Sequence, residues 1–287
     1  VIYDVVHRTR YRYDAPVTVS LGEVRQLVAD FDGQRCTGTG LVIEPAPEHQ
    51  RERSDYFGNR VALFSIRAPH TTLEVVTTAT VDTGGRGDRL GAGADAPWES
   101  VVADRGADLD VVEFAVDSPL VERSGALARY AEPSFPAGRP IGAAVTELCS
   151  RINADFAFDP DATDVDTPLE EVFQLRRGVC QDFAHVMIGC LRSLGLAARY
   201  VSGYLETEPP PGQPRLVGAD RTHAWVGVHL GAGGWIGIDP TNGQLAGPRY
   251  ITSAHGRDYA DVPPLKGIVF TEAEDSALTV SVDVVPR

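Results

Sequence analysis

At the start of the chain, Val1, Tyr3, Val5, His7, Thr9, Tyr11 and Tyr13 share one parity, with charged residues frequent between them. Alternation of β-branched and aromatic side chains at period two predicts a strand with one buried face. Residues 41–43, 61–66 and 72–81 read as further short strands, and DYFGN at 55–59 supplies a turn between two of them. An antiparallel β-rich domain is expected over residues 1–83. Residues 84–97 (GGRGDRLGAGADAP) are poor in large apolar side chains and read as a mobile connection. The whole stretch 84–117 is expected to act as a linker.

The period then changes. Ile141, Val145, Leu148, Ile152 and Phe156 recur at spacings of 4, 3, 4 and 4, which predicts a helix. Ser118-Pro119 reads as a helix start with an N-cap followed by proline in the first turn. Thr167-Pro168-Leu169-Glu170 reads as a capping box opening a short helix that Gly178 closes. Phe183, Met187, Cys190 or Leu191, and Leu194 then form an amphipathic stripe ending at Gly195. Strand patterns return at 198–205, 223–230, 235–239, 267–271 and 278–285, with a proline-rich loop at 206–220. Helices followed by strands predict an α+β domain over residues 118–287.

Composition narrows the classes. A chain of 287 residues can bury a full core, and 43% hydrophobic with 23% charged residues is ordinary for a globular protein. Twenty-six basic against 40 acidic residues give a net charge of −14, which makes nucleic acid and anionic membrane poor partners. The four cysteines (Cys36, Cys149, Cys180, Cys190) are scattered without a CxxC pair, so free thiols in a reducing, cytoplasmic setting are expected. The N-terminal residues alternate and show no signal-peptide core, and no apolar run reaches the roughly 18 residues of a membrane span.

Candidate chemistry centres on RRGVCQDFAHVMIGCLRSL, residues 176–194. Gly178 breaks the chain just before Cys180, which places the thiol at or beside a helix N-terminus. Unpaired N–H groups and the helix dipole favour a thiolate there. A reactive cysteine needs a base and a group to orient that base. His185 lies five residues along the helix, about 140° away from the Cys180 face. His223, in RTHAWVGVHL, begins a strand, and sixteen residues later Asp239 ends the next strand before Pro240. A hairpin through residues 231–234 would bring these strands side by side. The expected order is Cys180 as nucleophile, His223 as base and Asp239 as orienter.

GVCQDFAHVMIGCLRSLGLAARYVSGYL, THAWV and GWIGIDPTNG, in that order, resemble the three signature blocks of the bacterial transglutaminase-like superfamily, a group described as candidate cysteine proteases. The H-x-T-x-Y-x-Y start (His7 to Tyr13), DYFGN and PHTTLEV are similar to the β-rich domain that precedes the core in this family. HGRDYADVPPLKG, residues 255–267, matches the segment downstream of the aspartate. The resemblance covers nearly the whole chain.

It implies a papain-like core in which Cys180 starts a central helix packed on an antiparallel sheet carrying His223 and Asp239. It also implies acyl transfer: hydrolysis of a peptide or peptide-like amide, with amine-accepting transamidation and a non-catalytic protein-binding module as alternatives. A protein, peptide or small amide is the expected substrate, and oligomeric state stays open. The N–H of Cys180 is one natural oxyanion donor. Gln174, six residues before the cysteine, takes the papain-like spacing for a second, and Gln181 competes with it. Family analogy places Trp225 near the base.

Plainer readings stand beside these. Cys36, Cys149 and Cys190 read as inert thiols. His223 and His229 could be drawn as a metal pair, but no third ligand has convincing spacing. Asp159, Asp161, Asp164 and Asp166 lack the glycine and final glutamate of a calcium loop and read as a solvated acidic loop. No cofactor or metal is expected. Trp225 and Trp235 read foremost as packing residues, and Asp239 in isolation as a turn cap. Asp258 and Tyr259 either line the cleft or anchor the last loop.

Overall fold

The computed structural model describes residues 1–31, 33–87, 90–104, 109–207 and 221–287. Most of the proline-rich loop expected at 206–220 therefore lies outside the described residues.

The initial alternation continues as one strand, β1 (Ile2–Leu27), 26 residues long. Tyr3, Val5, His7 and Thr9 are buried as their parity requires, while Tyr11 and Tyr13 are half-buried and Val1 is exposed. β2 (Arg35–Glu44), β3 (His49–Ser54), β4 (Arg60–Ile66) and β5 (His70–Asp82) complete an antiparallel sheet in the order β2-β5-β1-β4-β3. The DYFGN turn joins β3 to β4, where Asp55 Oδ1 accepts from the N–H groups of Phe57 (3.0 Å) and Asn59 (2.9 Å). β3 is exposed along its length and rich in charge, which suits an edge strand.

Residues 84–117 are more ordered than a linker. Helix α1 (Trp98–Asp104) buries Val101 in the main core, and α2 (Leu109–Val112) leads into a 3₁₀ turn, Glu113–Ala115, whose Phe114 and Ala115 are buried. The N–H groups of Ile141 and Gly142 donate to the carbonyls of Ala96 (2.8 Å) and Ala94 (2.9 Å). These pieces are too short to show a period, so only tertiary contact reveals them. Ser118 starts no helix: its hydroxyl accepts from Arg192, and Ser124 instead caps α3 (Gly125–Ala131).

α4 (Ile141–Asp155) follows the predicted spacing and buries Ile141, Val145, Leu148 and Ile152. After it come β6 (Ala157–Phe158), α5 (Leu169–Leu175) and β7 (Arg177–Gly178). Thr167 does not cap α5, because its hydroxyl donates to Asp164 instead. α6 (Cys180–Ser193) packs Phe183, Val186, Met187 and Leu191 with residues of a second antiparallel sheet. That sheet comprises β8 (Ala198–Leu205), β9 (Arg221–His229), β10 (Trp235–Asp239), β11 (Gln244–Leu245) and β12 (Tyr250–Gly256), ordered β11-β10-β9-β8-β12.

The last two strands correct the expected boundary at 118–287. β13 (Leu265–Thr271) pairs with Val17–Val24 of β1, and β14 (Ser276–Pro286) pairs with Tyr3–Tyr13. They complete the N-terminal sheet. The reason is the buried cluster of Val282 and Val284 with Tyr3, Val5 and Val81, joined by Tyr204 and Ile251 of the second sheet. The two sheets are tied further where Tyr204 Oη meets His7 Nδ1 at 3.0 Å. Among the described residues, no helix is long and apolar enough to cross a membrane.

Candidate active site

Cys180 is the first residue of α6 and is half-buried. Its position is set from below by Asp182, whose Oδ2 accepts from Val179 N (2.8 Å) and Thr163 Oγ1 (2.6 Å). Asp182 in turn requires Gly178, since a Cβ there would lie 2.3 Å from Asp182 Oδ2. The helix start therefore follows from two neighbouring residues, one lacking a side chain and one capping the turn. Val179 O accepts from the N–H groups of Asp182 and Phe183, so those of Cys180 and Gln181 are left without an intrahelical acceptor. They are the candidate oxyanion donors.

β9 and β10 form the expected hairpin, in register from His229–Trp235 to Val226–Ile238. His223 Nε2 donates to Asp239 Oδ2 at 2.7 Å, and the ring is also hydrogen-bonded to Cys180. Burial pulls the His223 imidazole down, but hydrogen bonds to Asp239 and Cys180, with the charges of both, raise it to about 10. The structure thus brings the three expected residues together.

Asp239 is fully buried. Burial alone would raise its carboxyl, yet His223, Asn242 and Tyr250 hold it below the ordinary carboxylate value. Oδ1 accepts from Thr241 N (2.9 Å) and Asn242 N (3.3 Å), so the residue is also the turn cap that the plainer reading proposed. Oδ2 accepts from Asn242 Nδ2 (2.6 Å) and Tyr250 Oη (2.7 Å) besides the imidazole. Sequence reasoning missed Asn242 and Tyr250 in this role. Asn242 stands in the DPTN run, but nothing in the chain marks Tyr250, eleven residues from Asp239 and on another strand.

The remaining candidates separate. Trp225 is 1% exposed; its ring stacks on that of His223 at 6.2 Å and meets Tyr250 edge-on at 5.3 Å, forming a wall behind the base. Gln174 is exposed and donates to Glu170 on its own helix (3.3 Å), so it is not brought to the sulfur. The helix that holds it sets this direction, through the i, i+4 spacing. Gln181 Nε2 donates to Val165 O at 3.1 Å, binding the acidic loop to the helix start. Asp258 does not line the cleft. It is fully buried, accepts from Leu120 N (2.8 Å) and Ala260 N (2.9 Å), and anchors the last loop. Tyr259 packs edge-on against Tyr200 at 6.1 Å.

Tyr200 was not anticipated. It is buried, and burial, then the charge of Cys180, raises its phenol well above the usual value, which places it as a neutral neighbour of the sulfur. Burial pushes the thiols of Cys149 and Cys190 up to about 12, in keeping with inert packing roles. Among the described residues no group of three or more metal-ligating side chains is gathered.

Residues 3–82 match the family described as the bacterial transglutaminase-like N-terminal region, and residues 130–240 match the transglutaminase-like superfamily. The chain is 44% identical over 293 residues to an uncharacterised protein of Mycobacterium tuberculosis, covering 99% of this chain and 92% of that one. A protein-glutamine gamma-glutamyltransferase of Pseudomonas aeruginosa is 36% identical over 103 residues, 34% of this chain and 15% of that one. The fold is shared with a proposed cysteine protease from Cytophaga hutchinsonii at a TM-score of 0.72 and 20% identity, covering 98% of this chain and 90% of the other.

Proposed function

The chain belongs to the transglutaminase-like superfamily, and on that premise we propose a cysteine-dependent acyl-transfer enzyme that hydrolyses peptide or peptide-like amide bonds. The observation that carries this reading is the imidazole of His223, donating to Asp239 at 2.7 Å while hydrogen-bonded to Cys180 at the start of α6.

In this mechanism the thiolate of Cys180 attacks the amide carbonyl carbon, and the oxygen that gains charge is met by the N–H groups of Cys180 and Gln181. As the C–N bond breaks, the nitrogen leaves with the Nδ1 proton of His223. A thioester remains on Cys180. Water then attacks it, giving its proton to Nδ1, and the sulfur departs as the carboxylic acid forms. Asp239 stays anionic throughout, keeping the ring oriented and its cation stabilised. The four free thiols fit a reducing, cytoplasmic compartment.

Peptide-amide turnover should be lost in Cys180→Ala; full turnover by that variant on an identified substrate would refute the reading. A second reading is transfer to an amine. The similarity to the Pseudomonas aeruginosa protein-glutamine gamma-glutamyltransferase supports it. Incubation of a glutamine peptide with a labelled primary amine separates the two. An amine adduct forming faster than free acid would favour transfer.

A further inference from the structure

Asp239 Oδ2 holds more donors than orientation of an imidazole requires. Three reach it: His223 Nε2 at 2.7 Å, Asn242 Nδ2 at 2.6 Å and Tyr250 Oη at 2.7 Å. A carboxylate oxygen offers about two lone-pair sites, so these donors compete. We propose that Tyr250 and Asn242 are positioning residues that act through Asp239, drawing charge away from the imidazole and so lowering its hold on a proton. The inference rests on the His223–Asp239 pairing proposed above and adds a regulator of its basicity.

The geometry keeps Tyr250 in this role. Its ring is 2% exposed, lies edge-on to Trp225 at 5.3 Å and sits 6.1 Å from the His223 ring. Its oxygen accepts from Gln244 Nε2 at 2.8 Å, which orients its own proton toward Oδ2. Burial, then the Asp239 charge, pushes the phenol upward, so Tyr250 remains a donor across the working range. Among the described residues, the groups facing His223 are Asp239 from β10, Cys180 from α6, Tyr250 from β12, Asn242 from the turn, its Nδ2 3.4 Å from Nε2, and Trp225 from its own strand.

The chemical need is clear from the two half-reactions. Acylation asks the ring to give a proton, whereas deacylation asks it to accept one from water or an amine. An imidazolium held by an undivided carboxylate would serve the first step and hinder the second. Dividing Oδ2 among three donors balances the two.

The test is a titration of His223 in enzyme labelled with ¹⁵N-histidine, its signal assigned by its loss in His223→Gln. Tyr250→Phe should raise the His223 midpoint by about one pH unit, a tenfold gain in proton affinity. The shift should persist in a Cys180→Ala background, which removes the sulfur's share. Asn242→Ala leaves the Tyr250 ring in place and should shift the midpoint in the same direction. It decides the matter should Tyr250→Phe not fold. A midpoint that is unchanged or lower in folded variants overturns the proposal, since a purely structural tyrosine would reduce thermal stability alone. The titration needs no turnover, so a failure of the amide-cleavage reading and a failure of this one are told apart.

Discussion

His223 and His185 each lie beside a buried aspartate, and the two sites hold their rings in opposite states. Asp239 gives Oδ2 to His223, and the ring is raised to about 10. At the other site both Asp258 oxygens are taken by backbone N–H groups, Oδ2 by Leu120 and Oδ1 by Ala260. His185 Nε2 is left to accept from Tyr259 N at 3.2 Å, an acceptor's role that suits only the neutral ring. Burial lowers His185 to about 4, with the Asp258 charge opposing and the Arg192 charge assisting. A nearby carboxylate does not by itself make a cationic histidine; the His223 ring donates directly to its acid, whereas His185 Nε2 accepts from a backbone N–H.

The widest separation should come from the two aspartates. Asp239→Asn should lower kcat by about three to four orders of magnitude, because the ring loses its orienting acceptor. Asp258→Asn should cost about 2 kcal/mol of stability by leaving a backbone donor unpaired, with kcat per folded molecule changed less than about twofold. Steady-state kinetics beside denaturant unfolding would show it, and equal kinetic losses would erase the distinction between the sites.

The pH dependence of stability should differ next. Native His185 takes up a proton only near 4, while an unfolded histidine does so near 6.5. Stability present above 6.5 is therefore lost as pH falls toward 4, by about 3 kcal/mol at most. His223 has the opposite sign: its contribution is full below 6.5 and is lost as pH rises through about 10. Unfolding midpoints across pH should show His223→Gln removing the alkaline loss and His185→Gln reducing the acidic one. His7, lowered by burial to about 4, leaves part of the acidic loss in place.

Two smaller effects test the approach to the sulfur. Gly178→Ala forces a Cβ against Asp182 and should slow iodoacetamide labelling of Cys180 by about tenfold, with roughly 1–3 kcal/mol of overpacking strain. Gln174→Ala should change kcat/KM by less than about twofold, since its side chain is engaged with Glu170 on an exposed face. A hundredfold fall would restore Gln174 as an oxyanion donor.

The parts that could be read from the chain are those whose signals are local. The α4 stripe, the break at Gly178, and a hairpin with His223 and Asp239 near its open end all show in spacing and turn residues. What stayed hidden depends on contacts distant in sequence. Nothing in Tyr250 marks it as a donor to Asp239, and an aspartate such as Asp258 looks the same whether it faces solvent or two backbone amides. Residues 265–286 carry an ordinary strand pattern, which says how to fold locally and is silent about which sheet to join.

That last pairing bears on how the molecule is made. The residues of β1 are translated before every other strand of their sheet, yet the partners lying along Tyr3–Tyr13 and Val17–Val24 follow more than two hundred residues later. Until then one whole flank of β1 has backbone groups awaiting hydrogen bonds, a condition that invites association between nascent chains. Translation arrested before residue 265 should leave the first sheet open, and the need for chaperones should be greatest in that interval.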